Sequence, residues 1–104
     1  MIEIRYTEIF SDWLQHLRDH IGKAKVLVRI DRLRLGLSGD TKSVGQGVSE
    51  IRIDFGPGYR IYYTKRGKEL TILLVGGDKS SQNRDIQKAQ DLAKRLKEVT
   101  NEKA

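Results

Sequence analysis

The run SEIRIDFGPGYRIYY, residues 49–63, switches between apolar and polar side chains at nearly every step on both sides of a Gly-Pro-Gly interruption. A period of two marks a β-strand, because successive residues face opposite sides of a sheet. Ile51, Ile53 and Phe55 fall on one side, and Glu50, Arg52 and Asp54 on the other. Gly56-Pro57-Gly58 reverses the chain, since proline cannot continue a strand ladder and glycine admits turn conformations. Tyr59, Ile61 and Tyr63 then alternate with Arg60, Tyr62 and Thr64. The stretch reads as a hairpin with one side on a core, its other, open side carrying Glu50, Arg52, Arg60 and Tyr62. Pairing through the turn brings Arg52 and Arg60 onto neighbouring strands, close enough to share one anion. A tyrosine ring beside them can stack on a base. The plainer reading is a solvated sheet face on which Arg52 pairs with Glu50 or Asp54 for little energy.

Downstream, KRGK at 65–68 makes a Gly-containing hairpin turn, and LTILLV at 70–75 is apolar on both faces, as an enclosed strand requires. Gly76 and Gly77 end that strand, and Ser80 or Ser81 can cap a last helix with Ile86, Ala89, Leu92, Ala93 and Leu96 inward. The closing EVTNEKA, 98–104, has little to bury and is expected to fray. Upstream, DTKSVGQG at 40–47 has the glycines and small polar residues of a loop. Before it, Val26, Ile30, Leu33 and Leu37 form one helical stripe after a break at Gly22. A first helix, capped by Thr7 and running to about His20, carries Ile9, Phe10, Trp13, Leu14, Leu17 and Ile21. IEIRY at 2–6 alternates as an edge strand does. The order β-α-α-β-β-β-α predicts a single α+β domain over residues 1–104, an antiparallel sheet with its helices packed on one face.

A chain of 104 residues can bury one modest core without staples. Cysteine is absent, which removes disulfides, thiolate nucleophiles and Cys-based zinc sites and fits a reducing, cytoplasmic setting. No basic leader precedes an apolar run, and no stretch approaches the length of a membrane span. Twenty Lys+Arg against fourteen Asp+Glu give a net charge of +6, which attracts a polyanion or simply keeps a basic surface solvated.

Other motifs point less far. His16 and His20 stand at helical i, i+4 spacing, yet Leu-Arg-Asp lies between them and no Glu follows the first, so solvated histidines are the simpler reading over a metal pair. Gly45-Gln-Gly47 precedes a strand rather than a helix, unlike a phosphate loop. The arginines flanking Glu50 and Asp54 keep both ionised, which argues against a glycosidase-type carboxylate pair. GGDKSSQ at 76–82 delivers Lys79 from the central strand to the start of the last helix, where free N–H groups favour anions; the alternative is an ordinary cap with a solvated lysine.

The segments WLQHLRD, RIDRLRLG, KSVGQGVSEIRIDFGPGYRIYY and LLVGGDKSSQNRDIQKA together resemble the RelE/ParE toxin superfamily, and within it the HigB-like addiction-module killer proteins, over roughly Phe10 to Leu96. The resemblance implies a toxin of a type II toxin-antitoxin system, most often a ribosome-dependent endoribonuclease that cuts mRNA by attack of the 2′-hydroxyl on the adjacent phosphate. Such a reaction needs a base, an acid and positive charge, and no metal or other cofactor. Arg60 matches the arginine of the family's Gly-Tyr-Arg strand, Arg52 a basic residue of the preceding strand, and Lys79 the basic residue after the Gly-ended strand. Glu50 stands where RelE-type enzymes carry a second lysine and is the candidate base. Ile86 lies where they place a tyrosine, and the C-terminal histidine of some HigB toxins is missing. Tyr62, Lys42, Lys65 and Arg66 complete the candidate RNA-binding set.

The implied partners are a cognate helix-turn-helix (HigA-like) antitoxin, the ribosome and mRNA. The alternatives are a ParE-like inhibitor of DNA gyrase that acts by binding, and a non-catalytic nucleic-acid-binding partner of an antitoxin. No membrane role is expected.

Overall fold

Two arginines sit directly opposite one another near the turn end of the main hairpin. β3 (Val48–Ile53) and β4 (Tyr59–Arg66) pair antiparallel with Ile51 facing Ile61, Arg52 facing Arg60 and Ile53 facing Tyr59. This register comes from a computed structural model that describes residues 1–103, with side chains through residue 96. Gly56 and Gly58 hold positive φ in the connecting loop, as a turn tight enough for this pairing requires. β5 (Leu70–Asp78) pairs antiparallel with β4, and β1 (Glu3–Tyr6) pairs with β5 in parallel. The sheet is therefore mixed, not wholly antiparallel, because α1 (Glu8–Gln15) and α2 (His20–Arg34) intervene before the chain enters the sheet from its other edge.

A fifth strand replaces part of the expected loop at 40–47. β2 (Thr41–Gly45) pairs with β3, and Gln46 and Gly47 both take positive φ in the two-residue turn between them. Only Val44 in that strand is an aliphatic that packs on the core, so an outer strand here carries almost no apolar alternation to read. The full order is β1-β5-β4-β3-β2.

The α+β class holds, and the expected elements keep their order with β2 added between α2 and β3, but the helices occupy both faces. Phe10, Val26, Ile30 and Leu33 bury against Ile51, Ile53, Tyr59, Ile61 and Tyr63, the residues of one strand parity. α3 (Gln82–Lys103) covers the other face, setting Ala89 and Ala93 on Val48, Tyr62, Leu74 and Val75. The last helix has an apolar stripe of its own, and the helix pair already occupies the first face. Consecutive glycines let both layers close: a Cβ on Gly76 would collide with the Trp13 ring, and one on Gly77 with the Asp85 carboxylate. The expected fraying of 98–104 concerns side chains outside the described residues.

The helix boundaries also differ from the pattern. Thr7 caps α1, its hydroxyl accepting from Phe10 N at 3.0 Å. The helix stops at Gln15, and Asp19 caps α2 by accepting from Gly22 N at 3.0 Å. His16 and His20 thus belong to separate elements and do not share a helix face. Gly22 lies inside α2 because a Cβ would come within 2.5 Å of Tyr59 Cε2. Ile21 and Leu37, expected inward, are exposed.

Candidate functional site

The even-numbered residues of β3 and β4 point toward α3, but α3 begins only at Gln82 and leaves one end of that face uncovered. Strand alternation therefore places Glu50 and Tyr62 under the helix and Arg52 and Arg60 beyond its first turn. A cleft of about 350 Å³ opens there, lined by Arg52, Arg60, Lys79, Asp40, Asp54 and the Gly56–Gly58 turn. Three cations face two carboxylates, and the walls are mostly polar.

Glu50 is the pivot between core and cleft. It is wholly buried, and its carboxylate accepts from Arg52 Nε at 3.1 Å, Tyr62 OH at 3.0 Å and Gln82 Nε2 at 2.8 Å. Burial pushes its pKa up, but the bonds from Gln82, Arg52 and Tyr62 and the charge of Arg60 outweigh burial and hold it below the ordinary glutamate value. Tyr62 moves the other way: burial first, then its bond to Glu50, raises its pKa far above that of a free phenol. Glu50 is thus an ionised anchor for Arg52 and not an accessible base, because its oxygens are spent on internal donors and no surface remains for a substrate to reach. Tyr62 is likewise sealed, so its ring is no platform for a base; its hydroxyl serves the anchor.

Arg60 folds back over the turn. Its Nη1 donates to Gly58 O at 2.9 Å and Tyr59 O at 3.2 Å, while its Nε is buried without a partner among the described residues. A Cβ on Gly58 would stand 3.3 Å from Arg60 Nη1, so the glycine lets the guanidinium lie against the loop. A buried N–H that bonds to nothing is costly unless a ligand supplies the acceptor. Arg52 remains 38% exposed, and Lys79 is exposed on the rim.

The remaining candidates divide by position. Lys42 faces Glu50 across β2 and β3, so it lies exposed on the same side of the sheet as the two arginines. Lys65 and Arg66 end β4 at the opposite extremity, roughly 17 Å along the strand from Arg60 at ordinary rise, and do not join the cleft. Sequence reasoning missed Gln82 and Asp40; it set Asp54 on the arginine side, but only as an ion-pair partner of Arg52 and in a carboxylate pair it argued against. Gln82 had a signal, since the first residue of a helix following a buried strand is placed to reach that strand's neighbours. The turn from 79 to 81 offers less to an anion than expected, because Asp78 Oδ1 already accepts from Ser80 N at 2.8 Å.

Three comparisons bear on this arrangement. A family model described as "Phage derived protein Gp49-like (DUF891)" matches residues 12–98. An uncharacterised protein of Haemophilus influenzae is 48% identical over 95 residues, which span 91% of this chain and 96% of that protein. Among solved structures, a chain in the crystal structure of the intact E. coli RelBE toxin-antitoxin complex superposes with a TM-score of 0.53 at 13% identity, covering 75% of this chain and 96% of that one. At that identity the likeness is one of fold, and the fold is RelE-like.

Proposed function

The chain belongs to the phage-derived Gp49-like family, and from that premise and the arginine-lined cleft we propose that it is the toxin of a type II toxin-antitoxin pair, acting as a metal-independent endoribonuclease. The observation that carries this reading is the cross-strand register of Arg52 and Arg60 on one open patch of sheet, with Arg60 Nε left without an acceptor among the described residues. An RNA phosphodiester would supply that acceptor once the guanidinium swings off Gly58 O and Tyr59 O, because Nε is sealed while the side chain lies folded against the turn. Arg60 would hold one non-bridging oxygen, and Arg52, fixed by Glu50, would hold the other; Lys79 would approach from the rim.

In the proposed step the ribose 2′-oxygen forms a bond to the neighbouring phosphorus and the bond to the 5′-oxygen breaks. A cyclic phosphate results, and the 5′-oxygen leaves as a hydroxyl by taking up a proton equivalent to the one lost from the 2′-hydroxyl, so the step is balanced in protons. Negative charge grows on the phosphoryl oxygens on the way, and fixed guanidinium groups stabilise that charge more than they stabilise the starting diester. The carboxylates with access to the cleft are Asp40 and Asp54, which makes them, and not Glu50, the side chains placed to accept a proton there. Messenger RNA on the ribosome is the proposed substrate, and a helix-turn-helix antitoxin of the HigA kind the proposed partner.

A second reading, inhibition of an enzyme such as DNA gyrase by binding alone, is favoured by one observation. The two groups first offered for proton transfer and base stacking, Glu50 and Tyr62, are enclosed. Induced expression with mapping of transcript ends decides between the readings. New ends within translated messages, lost in Arg60→Ala, support the nuclease; growth arrest with intact messages supports inhibition by binding.

A further inference from the structure

α2 is apolar on two sides. Val26, Ile30 and Leu33 form the stripe that packs on the sheet. A second stripe, Ile21, Ala24, Val28 and Leu35, follows helical spacing on the outer side, where Ile21 is 63%, Val28 47% and Leu35 65% exposed. Ile21, Ala24 and Val28 border a groove of about 460 Å³ whose floor reaches Ile53. Lone exposed aliphatics are ordinary, but a spaced row beside a groove on so short a chain marks a contact surface.

The charge around the groove selects its occupant. Lys25, Arg29 and Arg32 rim it, against a single carboxylate, Asp54. Lys25 is held 5.0 Å over the Phe55 ring, and Arg29 is pinned by donating to Arg52 O and Ser38 O, each at 3.0 Å. Two of the rim cations are thus fixed in place, so an approaching partner orders less on binding. We infer that this groove docks an amphipathic helix of the antitoxin whose apolar row meets Ile21, Ala24 and Val28 and whose flanking acidic residues meet Lys25, Arg29 and Arg32. A basic partner, or a second copy of this cationic chain, would set like charges together, and a neutral one would leave the three rim cations without counter-charges. Asp54 lines both this groove and the arginine cleft, so a helix docked on α2 ends at the mouth of the proposed active site.

The inference rests on the toxin reading, and one titration separates the two. The protein encoded beside this one is titrated by calorimetry onto wild type, Val28→Asp, Arg32→Glu and, as a control at the far end of β4, Lys65→Glu, with melting temperatures taken alongside. Binding that weakens at least about tenfold in Val28→Asp, weakens in Arg32→Glu most at low salt, and is unchanged in Lys65→Glu supports the groove. Unchanged affinity in a folded Val28→Asp overturns it while leaving the antitoxin reading intact. No binding to wild type overturns the antitoxin reading and the groove with it. A dimer of the chain alone that Val28→Asp dissociates assigns the groove to a second copy and overturns the inference. Should Val28→Asp not fold, the exposed Arg32→Glu and Ile21→Asp carry the same test.

Discussion

Arg52 donates from Nε to a carboxylate oxygen of Glu50 at 3.1 Å, and the acid is wholly buried while the arginine side chain is 38% exposed. The ion pair therefore spans the boundary between core and cleft, with its anion fixed by Tyr62 and Gln82 from inside. Breaking such a pair from the buried side costs more than its formation contributes, because donors are stranded.

Glu50→Gln keeps the shape but loses the charge and turns one oxygen into a donor facing Gln82 or Arg52. We expect a loss of about 2 kcal/mol in stability, read by urea unfolding, and a drop in any Arg52-dependent RNA cleavage. Wild-type stability in this variant would show that the network is ornamental.

The same carboxylate shapes the acid limb of the stability curve. Its folded pKa lies below the ordinary 4.5, so its contribution is present above that value and is lost as pH falls through the folded pKa. Asp19, lowered chiefly by the Gly22 N–H and then by the Tyr59 hydroxyl, acts in the same direction. Unfolding measured from neutral pH down past 4.5 should show a steep decline in wild type and a shallower one in Glu50→Gln, the residue of the slope being due to groups such as Asp19.

Tyr62→Phe removes one donor from Glu50 and leaves the ring in place. A cost of about 1 kcal/mol follows, together with unaltered affinity for single-stranded RNA, since a buried ring stacks on no base. A large fall in RNA affinity without a fall in stability would restore the stacking role.

Gly77→Ala drives a methyl into the Asp85 carboxylate, which is itself bonded to Ser81 Oγ at 2.5 Å. Overpacking of this kind costs about 1–3 kcal/mol and should loosen α3 from the sheet, visible as faster amide exchange in the helix.

Arg60→Ala should lower RNA cleavage by a factor on the order of 100 or more, with Lys65→Ala remaining near wild type. Equal losses in the two would mean that diffuse charge, and not the cleft, handles the RNA.

Strand parity in residues 49–63 was enough to place Arg52 and Arg60 on one side of one hairpin, because a two-residue period leaves a side chain no third direction. The helix cap at Thr7, the enclosed character of β5 and the likeness to the RelE fold were likewise available from local residue choices. The identity of the covering layer was not. Whether the polar-looking side of β3 and β4 met water or α3 depended on where a helix far along the chain could pack, and the close approach permitted by Gly77 settled it. Glu50 and Tyr62 therefore changed from open-face candidates to an interior anchor, while two strand positions along, past the first turn of α3, the arginines kept their access. Local chemistry determines which way each side chain points; long-range packing determines what it meets there, since burial belongs to neighbours that the chain brings from afar.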